Sequence, residues 1–218
     1  MNQSIKHSKL MNLLIGGLFL FTSSLLSQVD PDVEIRKLLP EAEEIKMALS
    51  AAPAHLRDNA TVYVWKRGGY VKVREGTNGF NCMVLREGTA LGPICYDPVG
   101  SATTMIRDFR WAKLIEDGKT QKEAKAIIAG EYESGKLKAP DKYGIAYMLS
   151  PNFTIINPKS GERVQAFPPH IMFYAPYMKP EDAGLRAEDF QSRERPWLLR
   201  VNDPRGYIIV VPNEGVFN

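Results

Sequence analysis

Few side chains in this sequence have the types and spacing that catalysis or metal binding requires. Beyond residue 27 the chain has two histidines, His55 and His170, and two cysteines, Cys82 and Cys95. The patterns typical of serine hydrolases, P-loop enzymes, zinc proteases, EF-hands and dinucleotide-binding folds are absent. A histidine-rich metal site is excluded by number, whereas a site made of one histidine and carboxylates stays open. We predict no metal site and no cofactor.

His170 is the better candidate of the two histidines. Two prolines precede it, and the apolar run that follows is typical of a strand. Strand ends commonly carry functional side chains, whereas a lone histidine in a polar connector, such as His55, is more often a surface residue. Asp97, Tyr147 and Tyr174 would lie near His170 if their segments pair in the fold.

Three functions are compatible with these candidates. The first is a non-catalytic binding protein whose ligand site includes His170, Tyr147 and Tyr174. The second is a hydrolase or metal-assisted enzyme in which His170 works with a carboxylate such as Asp97. The third is an envelope structural protein without a small-molecule site, in which His170 only forms structural hydrogen bonds.

The two cysteines predict one disulfide. Cys82 and Cys95 are 13 positions apart. Two thiols alone cannot complete a zinc shell, and the CxxC spacing of redox enzymes is absent. We expect the bond to join the third strand of the chain to the loop that follows it. Closing a loop of this size stabilises a fold by about 3 kcal/mol.

The N-terminal segment has the layout of a secretory signal peptide. Lys6 and Lys9 are followed by the apolar run Leu13 to Phe21 and then by small polar residues. We predict that residues 1–27 are a signal peptide, or an uncleaved anchor, and that the protein is exported to the periplasm or the extracellular space. Contact with a membrane is expected only through this segment if it is not cleaved.

The remaining chain is almost neutral in charge. Without Lys6 and Lys9 it has 26 basic and 25 acidic residues. No cluster of lysine and arginine indicates a nucleic acid or an anionic membrane as a partner. We therefore predict no nucleic-acid binding.

The apolar patterns predict an α+β fold in one domain, residues 28–218. An N-terminal helix between residues 31 and 51 precedes a three-stranded meander at 61–85 and a turn-rich segment at 92–98. A helical hairpin follows between residues 101 and 135, with a capping box at Thr120 to Glu123. Further strands are predicted at 143–149, 154–156, 168–175, 197–201 and 207–211. The total is a mainly antiparallel sheet of six to eight short strands.

Several short blocks occur in order along the chain. They are REGTNGFNC at 74–82, CYDP at 95–98, GIAYML at 144–149, PHIM at 169–172 and GYIIVVP at 206–212. Together these blocks resemble a group of uncharacterised exported bacterial proteins. The resemblance covers most of the chain beyond residue 60, although the charged helical hairpin near 113–137 departs from the pattern of the group. It implies a bacterial exported protein with a paired-cysteine loop and implies no activity.

Overall fold

A computed structural model describes residues 36–157 and 160–212. The predicted signal segment 1–27 lies outside these residues. In chain order the elements are α1 (Glu41–Leu49), α2 (Ala54–Arg57), β1 (Thr61–Lys66), β2 (Gly69–Arg74), β3 (Asn81–Glu87), β4 (Ala90–Tyr96), α3 (Pro98–Ala102), α4 (Thr104–Glu116), α5 (Gln121–Glu133), β5 (Ile145–Met148), β6 (Thr154–Ile156), β7 (Arg163–Gln165), β8 (His170–Tyr174), β9 (Trp197–Leu199) and β10 (Tyr207–Val210). Two short 3-10 helices, Pro180–Ala183 and Ala187–Asp189, lie between β8 and β9.

The strands form one mixed sheet that confirms the predicted α+β class. The strand order is β2-β1-β3-β4-β5-β8-β10-β9, and the short strands β6 and β7 extend the sheet beside β4. The β1–β3 pair is parallel, and the other strand pairs that the structure describes are antiparallel. Within the described residues the sheet has ten strands, more than the six to eight that were predicted.

The predicted meander of the first three strands is wrong in its pairing. β1 and β2 form the expected hairpin, but β3 returns to the other side of β1 and runs parallel to it. The connection packs against the start of β1, where Thr77 N donates to Asn59 O at 2.8 Å and Thr61 N donates to Phe80 O at 2.8 Å. Gly76 makes this close approach possible, because a Cβ atom there would collide with the backbone at Asn59 to Thr61. β2 is therefore an edge strand.

The segment predicted to be a turn-rich loop is the strand β4. It pairs with β3 along its whole length, and Cys82 lies directly opposite Cys95. The disulfide is present, but it joins two neighbouring strands and not a strand and a loop. The other edge of β4 is shared, with β6 beside Ala90 and Leu91 and β5 beside Cys95 and Tyr96. Pro93 lies between these two pairings. No second strand pairs with it there, so the missing N–H of proline costs no hydrogen bond on that edge.

Helices cover the two faces of the sheet unequally. α1 packs on β1, β3 and β4, and the face it covers is called the α1 face. Its buried Glu44 holds Arg86 of β3 at 2.8 Å and accepts a hydrogen bond from Trp65 N. α4 covers the opposite face, called the α4 face, over a large apolar core. This core contains Met83, Ile94, Tyr96, Met105, Ala146, Met148, Met172, Tyr174, Trp197, Tyr207 and Ile209.

α4 and α5 form the predicted helical hairpin. Gly118, with a φ of +83°, lies in the connection between them, and a third apolar cluster packs between the two helices. The capping box at the start of α5 is present, because the side chain of Thr120 accepts from Glu123 N and that of Glu123 accepts from Thr120 N. The predicted single helix 101–116 is divided in two at Thr103, and its first part, α3, starts earlier, at Pro98.

Candidate functional site

A cavity of about 350 Å³ lies on the α4 face of the sheet. Its lining residues come from β3, β4, β5, β8, β9, β10 and α4, from the segment before β6 and from the connection between β9 and β10. The apolar lining consists of Leu85, Ala90, Gly92, Ile94, Met148, Phe153, Met172 and Leu199. The polar lining consists of Glu87, Thr104, Arg107, Asp108, His170, Arg200, Arg205 and the hydroxyl-bearing Tyr96 and Tyr207. The volume is within the range of small-molecule sites.

The gap beside β4 shapes the apolar part of the cavity. Gly92 faces it without a side chain, and Met148 and Phe153 close in from either side of the gap. A Cβ atom at Gly92 would lie 2.9 Å from Met148 Cε and 3.3 Å from Phe153 Cδ2. These two flexible side chains therefore define how much space is available over the glycine.

His170 lines the cavity as a neutral, hydrogen-bonded imidazole. It is 4% exposed, and its ring lies beside those of Phe153 and Phe167. Burial lowers the pKa of His170, although its hydrogen bond to Pro168 opposes this effect. Nδ1 lies 2.8 Å from Pro168 O, and because a carbonyl only accepts, Nδ1 carries the proton. The neutral ring thus keeps Nε2 as a hydrogen-bond acceptor.

Asp97 lies outside the cavity lining and has a structural role. It caps α3, where Oδ1 accepts from Gly100 N at 2.8 Å, and Oδ2 accepts from Ile145 N at 2.8 Å. His170 pairs with Met148, three residues further along β5 from Ile145. Three residues of a strand span about 10 Å, so the structure does not bring His170 and Asp97 together.

Neither predicted tyrosine belongs to the residues that line the cavity. Tyr147 is on the α1 face, where its ring centre lies 6.1 Å from that of Phe80. Tyr174 is on the α4 face, but its hydroxyl donates to Asp97 or to Ile145 O at 3.1 and 3.2 Å. Of the proposed ligand-binding set, the cavity includes His170 alone.

The structure adds a group of charged residues that the sequence did not reveal. Arg107 of α4 is 2% exposed, and its two terminal nitrogens each donate to Glu87 of β3 at 2.7 Å. Asp108 accepts from Arg107 Nη1 at 2.9 Å and from the hydroxyl of Tyr96. Together with Arg200 and Arg205, these residues are called the arginine cluster. The sequence signal was weak, since adjacent arginine and aspartate on a helix usually indicate a solvated face.

The arginine cluster also joins distant parts of the sheet. Arg205 precedes β10, and its Nη1 lies 3.8 Å from Glu87 Oε1 at the end of β3. In a flat sheet β3 and β10 would be about 19 Å apart, because three strands separate them. The sheet therefore curls around the cavity, and long charged side chains bridge the remaining distance.

Charge and burial set opposite pKa shifts in the two carboxylates. Although burial opposes it, hydrogen bonding and the charges of Arg107, Arg200 and Arg205 lower the pKa of Glu87 to about 2. Burial raises the pKa of Asp108, against the charge of Arg107. Glu87 is therefore the fully ionised partner of the cluster.

A second cavity of about 300 Å³ adjoins the arginine cluster. α5, the turn before β10 and Tyr177 line it, and Arg107 and Arg205 belong to the lining of both cavities.

Within the described part of the chain no group of three histidine, cysteine, aspartate or glutamate side chains could hold a metal ion. Across the same described ranges no helix is long and apolar enough to cross a membrane.

Comparisons with known proteins give no assignment: no family model, curated protein or solved structure matches the chain.

Proposed function

We propose that this protein is a non-catalytic binding protein that takes a small, mainly apolar molecule into the 350 Å³ cavity. The observation that carries the proposal is the wall of that cavity, which combines eight apolar residues, most of them on strands, with polar groups that converge from other parts of the chain. Ligand sites commonly have this composition, and native cores rarely leave so much space among apolar side chains.

We also propose that the protein works outside the cytoplasm, in the bacterial envelope or beyond it. A buried disulfide is consistent with an oxidising compartment, where such bonds persist. The positive charges and the apolar run within residues 1–27 also support export. The resemblance of several short blocks to exported bacterial proteins supports a bacterial origin.

The enzymatic alternative is supported less well by the geometry. The cavity that contains His170 also contains Glu87 and Asp108, but Arg107 binds both carboxylates, and no described contact joins either of them to His170. Asp97 lies elsewhere, and both of its oxygens accept backbone hydrogen bonds. A catalytic pair must lie within hydrogen-bond reach. Binding without chemistry is therefore the function that this geometry supports best.

A fluorescent apolar probe tests the proposal. The half-buried Ala90 faces the cavity from the start of β4, so Ala90→Phe would place a ring in it. We expect the wild-type protein to bind N-phenylnaphthylamine saturably and Ala90→Phe to bind it about tenfold more weakly or worse, which is a loss of at least about 1.4 kcal/mol. Fluorescence titration gives both affinities.

The matched control adds the same ring to an exposed strand position. Val71 is 47% exposed on the edge strand β2, away from the cavity, so Val71→Phe should bind the probe like the wild-type protein. Circular dichroism confirms that each variant is folded, and Leu199→Phe on β9 replaces Ala90→Phe if the latter does not fold. Absence of saturable binding, or equal binding by the control and the cavity variants, contradicts the proposal.

A further inference from the structure

Arg107 adds positive charge to the cavity wall, but its unpaired donor is not open to the cavity. The side chain is almost completely buried, and its Nε atom has no hydrogen-bond partner among the described residues. That nitrogen has less than 1 Å² of accessible surface, so a molecule in the cavity does not contact it. The donor that a ligand can reach lies elsewhere in the wall.

Arg200 provides an unused donor in the cavity wall. It lines the cavity beside Leu199, and its side chain forms no hydrogen bond or ion pair within the described ranges. It is nevertheless close enough to contribute to the lowered pKa of Glu87. Its backbone is left-handed, with a φ of +61°, a conformation that is unfavourable for a residue with a Cβ atom and common in ligand clamps.

The carboxylates of the cavity, in contrast, have their partners already. Both oxygens of Glu87 accept from Arg107, and Asp108 accepts from Arg107 and Tyr96. Arg205 is held by Asp203 through Nε at 3.1 Å and by Glu87 at 3.8 Å. Of the three arginines in the lining, Arg200 is therefore the one whose side chain has no hydrogen-bonded or ion-pair partner within the described ranges.

We propose that the ligand is an amphipathic carboxylate whose charged group binds Arg200. Its apolar chain packs on Ile94, Met148 and Met172, which line the same cavity. A carboxylate has one negative charge and two acceptor oxygens, which match the charge and the paired N–H donors of one guanidinium. A phosphate ester would place nearly two negative charges beside Glu87 and is disfavoured. This inference rests on the proposed binding function.

Matched ligands that differ only in the head group provide the test. Isothermal titration calorimetry of the full-length protein with decanoate, decanol and decylamine compares an anion, a neutral group and a cation on the same alkyl chain. We expect decanoate to bind at least about tenfold more tightly than decanol, because its carboxylate forms charge-assisted hydrogen bonds with Arg200. Decylamine should bind most weakly.

Arg200→Met then removes the charge and keeps the apolar stem. The decanoate-to-decanol affinity ratio should fall to about one. Arg200→Lys keeps the charge and should retain part of the preference. Arg67→Met, in the exposed turn between β1 and β2, is the control and should leave the ratio at the wild-type value.

The outcomes separate this inference from the function on which it rests. If decanol binds as tightly as decanoate, or if Arg200→Met retains the wild-type ratio, the carboxylate assignment is wrong and the binding function stands. If none of the three compounds binds and the fluorescent probe does not bind either, the binding function itself fails.

Discussion

Glu87 is the residue on which the arginine cluster depends. Its carboxylate binds Arg107 with both oxygens and lies close to Arg205, so it compensates charges that would otherwise be buried alone. The pKa of Glu87 is about 2 in the folded protein, and the ordinary value is 4.5. Because the folded pKa is the lower one, ionised Glu87 stabilises the fold above pH 4.5, and this stabilisation is lost as the pH falls from 4.5 toward 2.

The variant Glu87→Gln should therefore change how stability depends on pH. At pH 7 we expect the free energy of unfolding to fall by about 3 kcal/mol, as the shift in pKa and the buried charge of Arg107 indicate. The gap between wild type and variant should narrow by about 2 kcal/mol between pH 5 and pH 2.5. Urea denaturation at a series of pH values measures this difference in unfolding free energy.

The control is Glu194→Gln, at an exposed position, whose stability should vary with pH like that of the wild type. If the curves of Glu87→Gln and the wild type are parallel, the ionised salt bridge does not contribute to stability.

The residues of the candidate site could be predicted only where their type was rare. His170 stood out because the chain has few histidines, and it does line the cavity. Arg107 could not be singled out, since its partner Glu87 lies 20 positions away and Arg205 lies almost 100 positions away. Such contacts exist only after the sheet has curled. Charged residues carry no local signal that distinguishes a buried pair from a solvated one.

At the scale of elements, local sequence signals were sufficient to predict the β1–β2 hairpin and the α4–α5 hairpin. The glycines at 68 and 69 and the capping box at Thr120 fix the β1–β2 turn and the start of α5 by short-range interactions. The edge of β1 that pairs with β3 depends on contacts between distant residues. The six-residue connection between β2 and β3 does not specify it. β4 was missed because Gly92 and Pro93 disfavour a strand locally, whereas pairing with β3 and burial outweigh that preference.

The crossover between β2 and β3 gives a prediction for Gly76. Gly76→Ala should destabilise the fold by about 2 kcal/mol or more, because the new methyl group meets the backbone at Asn59 to Thr61, which cannot move without breaking the β1–β3 pair. Gly130 in the middle of α5 provides the contrast, since a Cβ there meets no atom within 4 Å. Gly130→Ala should stabilise by about 0.5–1 kcal/mol, as expected for a helix interior. Thermal unfolding compares both variants, and equal effects would contradict the tight crossover.

For the molecule as a whole, the disulfide stabilises a sheet that is already paired. Cys82 and Cys95 lie opposite each other in adjacent strands, and both are fully buried under α1. The double variant Cys82→Ala/Cys95→Ala should keep the fold and lose about 3 kcal/mol of unfolding free energy. Urea denaturation of the variant and of the oxidised wild-type protein measures the loss. Failure of the variant to fold, as seen by circular dichroism, would show that the bond is required for folding and not only for stability.

The divided edge of β4 has a consequence for how the cavity can vary. The space over Gly92 lies where β5 has ended and β6 has not begun. A gap in strand pairing beside β4 therefore creates this space, and small side chains do not. Met148 and Phe153 stand at the two borders of that interruption and can change in size without disturbing any strand pairing. Related sequences could therefore accommodate molecules of different length through exchanges at these two positions, while the scaffold stays the same.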